Sequence, residues 1–450
     1  MTTTQTDTSA GRAGFLETLA VYLRPRVLIV MFLGFSSGLP LALSGSTLLV
    51  WMREAGVDLG TIGLFALVGT PYTLKFIWAP VVDALGVPFL TRWFGRRRGW
   101  LVFSQLLLIA AIVLLAFCDP SVSPLLVALG ALLVAAAAAT QDIVIDAFRV
   151  ESLDENEQAA GMASFVAAYR VGMLASTVGA LYVVSGLEWW GAAKSLAWTG
   201  GYLAMAALVV IGMVTALLAT EPERSQAAET AQAAQTSEDP LRRVIRSAYE
   251  AFSEFLSRDF ALAVLAFVVL FKLCDAFAGT MTAPFVIDLG FTRTDYANIV
   301  KGVGLAATLI GGFAGGAVAL RYSLATSLWI GAVLQTFSNL AFYWLALSGT
   351  SYMALTLAII AENFTSAIGT VIFVAYLSAL CKSPLHTATQ FALLTALSAV
   401  GRTYLSAGAG YLAQTAGWPM FFLLSIATAL PSFVLLAWLQ QRGHFKTLKT

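Results

Sequence analysis

Three carboxylates stand inside long apolar stretches of this sequence, where a charged group is costly to keep. They are Asp142, Asp275 and Glu362. Because a carboxylate removed from water is easier to protonate, such a residue can accept and release a proton during a working cycle. We therefore expect these three residues to couple proton movement to function. Lys272 precedes Asp275 by three residues, a spacing that lets the two side chains pair on one helix.

Cations and hydrogen-bonding side chains in the same stretches are candidates for ligand binding. Fixed positive charges in a cavity suit a ligand with carboxylates or phosphates, and aromatic rings beside them can stack on sugars. Each cation could equally neutralise a nearby acid, and a tyrosine in a helix often serves packing alone. The predicted ligand-binding residues are Lys75, Tyr72, Gln141, Tyr169, Arg170, Asn363 and Arg402.

Charged residues at the ends of apolar runs could hold one conformation through ion pairs that break in another. We assign such a conformational gate to Asp83, Arg96, Arg97, Arg98, Asp146 and Arg149. Two simpler interpretations stay open. The arginines could only anchor the chain at a membrane surface, and Asp146 and Arg149 could form a structural pair.

A Gly-x-Ser-x-Gly pattern near the N-terminus matches the nucleophile motif of serine hydrolases, including intramembrane proteases. The two histidines, His386 and His444, fall in a predicted loop and in the C-terminal tail, so the motif lacks a general base at its depth. A bend or break in the first apolar run explains the glycines more simply. The residues of this predicted helix break are Gly34, Ser36, Ser37, Gly38 and Pro40.

The composition of the chain indicates a membrane protein. Of 450 residues, 59% are hydrophobic and only 11% are charged, which leaves too little polar surface for a soluble globular enzyme. The net charge of +1 offers no basic face for nucleic acid. Three dispersed cysteines and two histidines predict neither a disulfide framework nor a metal site, and we expect no cofactor.

Twelve apolar runs are long enough to span a bilayer, which takes roughly 20 residues per helix. They cover residues 27–51, 60–82, 100–118, 124–147, 158–184, 197–219, 260–286, 296–320, 324–347, 352–380, 387–413 and 418–440. The first run is too long for a signal peptide. Placing both termini in the cytoplasm puts most Lys and Arg residues outside the spans on the cytoplasmic side, as membrane proteins prefer.

One long polar connection divides the chain into two halves. We predict an N-terminal tail at 1–26, a six-helix half at 27–219, a cytoplasmic linker with an amphipathic helix at 220–257, a second six-helix half at 258–440 and a tail at 441–450. A constant offset pairs Arg24 with Arg258, Gly45 with Gly279 and Glu54 with Asp288. Two parallel six-helix repeats are typical of the major facilitator fold, which binds its substrate between the halves.

Small residues recur at four-residue spacing in the eighth run. Gly304, Thr308, Gly312 and Gly316 share one helix face. Small side chains let membrane helices approach closely. We expect this face to pack against a neighbouring helix.

Several motifs of the first half resemble the AmpG muropeptide permease family of the major facilitator superfamily. They are GFSSGLPLAL at 34–43, YTLKFIWAPVVD at 72–83, FGRRRGWL at 94–101, QDIVIDAFR at 141–149 and YRVGMLAS at 169–176. The family positions that match are Gly34 to Pro40, Lys75, Asp83, Arg96 to Arg98, Gln141, Asp142, Asp146, Tyr169 and Arg170. In the second half the resemblance rests on the span pattern, and the segment after Asp83 is longer than the usual form.

This resemblance implies a multi-pass protein of the bacterial inner membrane, not an enzyme. It implies proton-driven import of N-acetylglucosaminyl-1,6-anhydro-N-acetylmuramyl peptides for peptidoglycan recycling, and a role in β-lactamase induction. Acetyl-CoA or another organic anion is the alternative substrate, and a sensor built on a transporter fold is the alternative outside transport. We expect a monomer in the lipid bilayer that binds no nucleic acid.

Overall fold

A computed structural model describes residues 21–154, 157–222, 256–380, 387–446 and 448. The predicted tail up to residue 20, the predicted amphipathic helix of the linker and His386 lie outside the described residues. Side chains of a few helical residues, Asp83 among them, are also outside the description.

Among the described residues, ten helices are long and apolar enough to cross a membrane, and each coincides with one predicted span. Their length follows from uninterrupted apolar sequence, since every backbone polar group must be satisfied within the helix. They are α1 (Pro25–Glu54), α3 (Arg96–Ala116), α4 (Pro124–Ser152), α5 (Ser164–Trp189), α6 (Lys194–Leu218), α7 (Ala261–Asp288), α8 (Arg293–Ala319), α9 (Leu324–Ser348), α10 (Tyr352–Leu380) and α12 (Trp418–Gln441).

The other two predicted spans are helical but interrupted. Helix α2 combines an apolar helix at Leu59–Leu74 with a 3-10 turn at Lys75–Ile77 and a short helix at Ala79–Ala84. Helix α11 runs through Thr387–Val400, a π turn at Gly401–Leu405, a 3-10 turn at Ser406–Gly408 and Ala409–Ala416. Prolines in α2 and glycines in α11 favour such breaks. The count of twelve spans stays a prediction.

The helix break predicted at residues 34–40 is wrong, because the α-helix continues from Pro25 to Ala42. Departure from α geometry comes just afterwards, in a π turn at Leu43–Thr47 where Gly45 has φ −103° and ψ −109°. Gly34 serves packing instead, since a Cβ there would lie 2.6 Å from the carbonyl oxygen of Phe165. An added Cβ on Gly38 would lie even closer to the carbonyl oxygen of Tyr169. These two glycines let α1 pack directly on α5.

The small-residue face predicted on α8 contacts Asn363 of α10 at Gly304 and Thr308, but it is displaced by one position further along the helix. Gly311 and Gly315 pack against α10, where an added Cβ would lie 2.9 Å from the α-carbons of Phe364 and Ile368 respectively. Gly312 and Gly316 have no atom within 4 Å of an added Cβ. Adjacent residues on a helix point about 100° apart, so a shift of one residue selects a different face.

The hydrophobic core is continuous between the halves at one end of the bundle and divided at the other. We call the first the outer end; it carries Trp51 of α1 and Phe285 of α7, which belong to one core. At the opposite, inner end, separate cores surround Phe148 in the first half and Tyr376 in the second. The distribution of basic residues predicts that the inner end faces the cytoplasm.

Candidate functional site

A cavity of about 510 Å³ lies between the two halves. Residues from α1, α2 and α5 form one side, and residues from α7, α8, α10 and α11 form the other. Five predicted site residues lie on its wall: Tyr72, Arg170, Glu362, Asn363 and Arg402. The volume is within the range of pockets that enclose small molecules. The cavity therefore brings together predicted residues from both halves.

In the first half, Asp142 is held between two helices beside the cavity. Ser37 of α1 donates a hydrogen bond of 2.5 Å from its hydroxyl to Oδ1 of Asp142 on α4. Lys75 and Tyr169 lie within electrostatic range of this carboxylate, and Tyr169 is also within range of Arg402. Asp142 thus has both a neutral donor and a cation nearby.

Gln141 is part of the protein core and does not line the cavity, contrary to its predicted role in ligand binding. Its side chain is fully buried, with Nε2 3.5 Å from the hydroxyl of Ser36, which in turn donates to Gln105 over 3.3 Å. Adjacent residues on a helix point about 100° apart, so the side chain of Gln141 lies on a different side of α4 from that of Asp142. Ser36 is also fully buried among these amides, and its hydrogen-bond partners among the described residues are Gln105 and Gln141.

In the second half, Lys272 and Asp275 form the ion pair that their spacing predicted. The ammonium lies 2.6 Å from Oδ2 of Asp275, which also accepts a 2.9 Å hydrogen bond from Ser366 of α10. Lys272 further donates to Gln335 over 3.1 Å and to Thr370 over 3.1 Å. This network ties α7 to α9 and α10.

Glu362 and Asn363 lie on the part of α10 that reaches the cavity. The amide of Asn363 donates to Glu362 over 2.8 Å and to the carbonyl of Ile359 over 3.0 Å, while Thr308 of α8 donates to its oxygen over 3.2 Å. Asp275 and Lys301 lie within electrostatic range of Glu362. A carboxylate next to the ligand space and near a second acid is suited to proton exchange.

Lys301 is a cavity residue that sequence reasoning missed. It lies on the wall in a π-helical stretch at Tyr296–Val303, with its ammonium 5.5 Å from the ring centre of Tyr296. The sequence does show a lysine inside an apolar run. Because Lys301 is close to the predicted end of that span, its depth in the span could not be recognised. Together with Arg170 and Arg402, Lys301 gives the cavity three cations.

At the inner end, the predicted gate arginines bind acids that the sequence did not identify. Arg97 contacts Glu151 at 2.5 Å and 2.9 Å, and Arg96 lies 3.8 Å from the same carboxylate. Glu221 accepts hydrogen bonds from the backbone nitrogens of Arg97 (2.8 Å) and Arg98 (3.0 Å) and so caps the first turn of α3. These contacts tie α3 to α4 and to the start of the linker.

The pair of Asp146 and Arg149 is loose. Their side chains approach to 3.7 Å, and Asp146 is half exposed. Arg149 also lies 5.8 Å from the ring centre of Phe165. The pair stays within α4, as the structural interpretation expected.

Ion pairs join the two halves at the outer end, and no predicted site residue belongs to them. Arg293 of α8 binds both oxygens of Glu54 of α1, at 2.7 Å and 2.9 Å, and Glu188 of α5 at 3.1 Å. Arg53 pairs with Asp288 of α7. The sequence offset between the halves matches Glu54 with Asp288, and this match could have identified these positions.

The backbones of α2 and α11 meet beside these outer ion pairs. The amide oxygen of Gln414 accepts a 3.0 Å hydrogen bond from the backbone nitrogen of Gly60. An added Cβ on Gly63 would lie 2.7 Å from the backbone nitrogen of Gly410. Contact this close closes the outer end between the halves.

Among the described residues, no group of three or more His, Cys, Asp and Glu side chains could hold a metal ion.

Solved structures with the same fold include two membrane transporters. The fold is similar to the nucleoside transporter NupG (TM-score 0.67, 13% identity, 92% of this chain and 99% of that one). It is also similar to a D-xylose-proton symporter (TM-score 0.65, 12% identity, 92% of this chain and 97% of that one). At these identities the likeness shows the fold alone.

Sequence comparison gives the family. The Major Facilitator Superfamily model matches residues 30–404. The chain is 40% identical to the anhydromuropeptide permease of Escherichia coli K12 over 93% of its length and 80% of that protein. It is 34% identical to a putative AmpG transporter of Rickettsia felis over 93% of its length and 97% of that protein. The chain is thus a multi-pass inner-membrane transporter that belongs to the AmpG-type permease family of the major facilitator superfamily.

Proposed function

We propose that this transporter imports anhydromuropeptides together with protons, binding the substrate in the cavity between its halves. The observation that carries the proposal is the cavity wall, which combines three cations with the carboxylate of Glu362. The 40% identity to an anhydromuropeptide permease supports the substrate class.

The wall offers partners for both parts of a muropeptide. Its peptide carries carboxylates, which Arg170, Lys301 and Arg402 can meet with charge-assisted hydrogen bonds. Its sugars carry hydroxyl and acetamido groups and apolar ring faces. The rings of Tyr72 and Tyr296 and the amide of Asn363 lie on the same wall and suit these neutral groups.

Glu362 and Asp142 are the strongest candidates for the proton carrier. Glu362 is hydrogen-bonded to a neutral amide, and Asp142 to a neutral hydroxyl. Asp275 is bound directly to Lys272, which stabilises its charged form. Protonation of a carboxylate beside the cavity removes a buried charge, and this lowers the cost of moving the helices that surround it.

The conformation fits the state that releases substrate inside. The outer end is closed by the ion pairs of Arg293 with Glu54 and of Arg53 with Asp288. The substrate would therefore be released through the divided inner end. In the return half of the cycle, these ion pairs would separate and the inner end would close. Ion pairs that form in one state only are a common way to bias such an equilibrium.

The substrate is tested by competition on the purified protein. A fluorescent anhydromuropeptide is bound in detergent and displaced by unlabelled anhydromuropeptide or by acetyl-CoA. We expect displacement by the muropeptide alone. Displacement by acetyl-CoA with no effect of the muropeptide would overturn the substrate while keeping the fold.

Proton coupling is tested with the amide variants Asp142→Asn, Asp275→Asn and Glu362→Gln in proteoliposomes. The true carrier variant loses gradient-driven accumulation but keeps exchange of labelled for unlabelled substrate, because exchange needs no net proton transfer. We expect this pattern for Glu362→Gln or Asp142→Asn. Driven accumulation by all three variants would place the proton route elsewhere.

A further inference from the structure

Two glycines of the central cavity are not explained by packing within the protein. Most glycines in the helices contact a neighbouring helix: an added Cβ on Gly34 or Gly63 would lie 2.6 Å or 2.7 Å from backbone atoms across the interface. Gly45 of α1 and Gly279 of α7 both line the cavity, and no atom of the described residues lies within 4 Å of an added Cβ on either. Their bare backbone therefore faces the ligand space.

The two glycines occupy equivalent places in the two halves. The offset that relates the halves matches Gly45 with Gly279, and the structure places both on the same cavity. Inside a helix, alanine is more stable than glycine. Gly279 stands within the helix Leu273–Asp288, where no described neighbour requires glycine, while the backbone of Gly45 has φ −103° and ψ −109°. On the cavity wall, a missing side chain lets a ligand approach the backbone most closely.

The residues that follow these glycines in the sequence carry neutral hydroxyl groups, which suit sugars. Ser46 and Thr280 follow them in the sequence and lie on the cavity wall, whereas the three cations come from α5, α8 and α11. Tyr72, whose ring can stack on a sugar face, lies on the same wall.

We propose that the bare backbone at Gly45 and Gly279 receives the disaccharide of the substrate, and that the missing side chains set the width of the sugar subsite. This inference rests on the proposed function, since it names which part of an anhydromuropeptide the two helices contact. The cations on α5, α8 and α11 then meet the peptide.

The test is uptake by proteoliposomes of two labelled compounds, the peptide-free disaccharide GlcNAc-1,6-anhydroMurNAc and the same disaccharide with its peptide. Gly279→Leu fills the subsite and lowers uptake of both compounds by about tenfold, a typical effect of overfilling a packed site. Gly279→Ala gives a smaller loss of the same kind. The melting temperature shows whether the leucine variant folds. If it does not fold, the alanine variant is used for the test instead.

The matched control is Gly316→Leu on α8, where an added Cβ also meets no atom within 4 Å but which lies off the cavity. It keeps uptake within about twofold of the wild type, as expected for a substitution without contacts. Wild-type uptake by Gly279→Leu, or a loss confined to the peptide-bearing compound, overturns the sugar subsite. A wild type that takes up neither compound overturns the proposed function itself.

Discussion

Ser37 and Asp142 show how far single residues can be read from sequence. Asp142 could be identified as a candidate, because a carboxylate in an apolar run needs a partner. The partner itself could not be identified, since Ser37 and Asp142 are joined only when α1 packs on α4. Gln141, one position earlier, has similar chemistry but lies in the core. Residue type and depth were predictable; the direction of each side chain depended on helix rotation.

Neutralising a cavity cation tests ligand binding at this scale. We expect Arg402→Gln to raise the KM for a peptide-bearing anhydromuropeptide by about tenfold, the effect of losing one charge-assisted hydrogen bond. The measurement is initial uptake at varied substrate concentration. Arg26→Gln is the control, because Arg26 pairs with Asp154 at 3.0 Å on the inner surface, away from the cavity. An equal KM for the two variants would contradict the role of Arg402.

Glu157 provides a pH-dependent test of stability outside the membrane spans. Arg24 donates a 2.8 Å hydrogen bond to it and holds the pKa of this carboxyl below its ordinary value of 4.5. Because the folded pKa is the lower one, ionised Glu157 stabilises the fold above the ordinary value, and this contribution is lost as the pH falls through the folded pKa. We expect Glu157→Gln to lower the melting temperature at neutral pH, with the deficit shrinking in acid.

The control for this measurement is Asp154→Asn, which removes the exposed pair with Arg26. Exposed ion pairs contribute little, so its melting temperature changes less at neutral pH. A deficit of Glu157→Gln that stays constant from neutral to acid pH would show that the carboxylate charge is not the stabilising feature.

At the scale of elements, apolar length predicted twelve spans, and ten of them coincide with long apolar helices of the described residues. The places where helices bend or touch could not be predicted from apolar length. The first helix departs from α geometry at Gly45 and not at residues 34–40, because Gly34 and Gly38 are needed against α5. Helix α2 has a 3-10 turn at Phe65–Gly69, and an added Cβ on Gly69 would lie 3.7 Å from Thr403 in the π turn of α11. These features depend on the neighbouring helix, and a single run of sequence does not contain that neighbour.

Close packing of α1 on α5 gives a stability prediction. An added Cβ at Gly38 meets the backbone of Tyr169, which cannot move as a side-chain end could. We expect Gly38→Ala to destabilise the protein by about 1–3 kcal/mol, as overpacking usually does. Gly186→Ala, where a Cβ meets no atom within 4 Å, is the matched control and should be neutral or slightly stabilising. Thermal unfolding in detergent compares them, and equal melting temperatures would refute the packing role.

At the scale of the whole molecule, the two halves could be predicted from the linker and the repeat, but their relative placement could not. The outer ion pairs of Arg293 with Glu54 and of Arg53 with Asp288 join residues more than half the chain apart. From the sequence, we predicted charged gate residues at the inner end only. The continuous outer core shows that these pairs act together with packing.

Weakening the outer ion pairs should expose the cavity to the outside. In a background without native cysteines, Thr280→Cys reports cavity access to a membrane-impermeant maleimide. We expect Arg293→Gln to speed labelling from outside by about tenfold, since loss of one closed-state ion pair shifts the equilibrium by a few kcal/mol at most. Arg442→Gln at the inner end is the control. Unchanged or slower labelling with Arg293→Gln would contradict the outer closure.

Uptake of a labelled anhydromuropeptide by proteoliposomes containing the purified wild-type protein tests the central claim most directly. We predict accumulation above the external concentration when an inward proton gradient is imposed, and only equilibration without it. No muropeptide uptake in either condition, by protein that is folded and inserted, would contradict the proposed transport function.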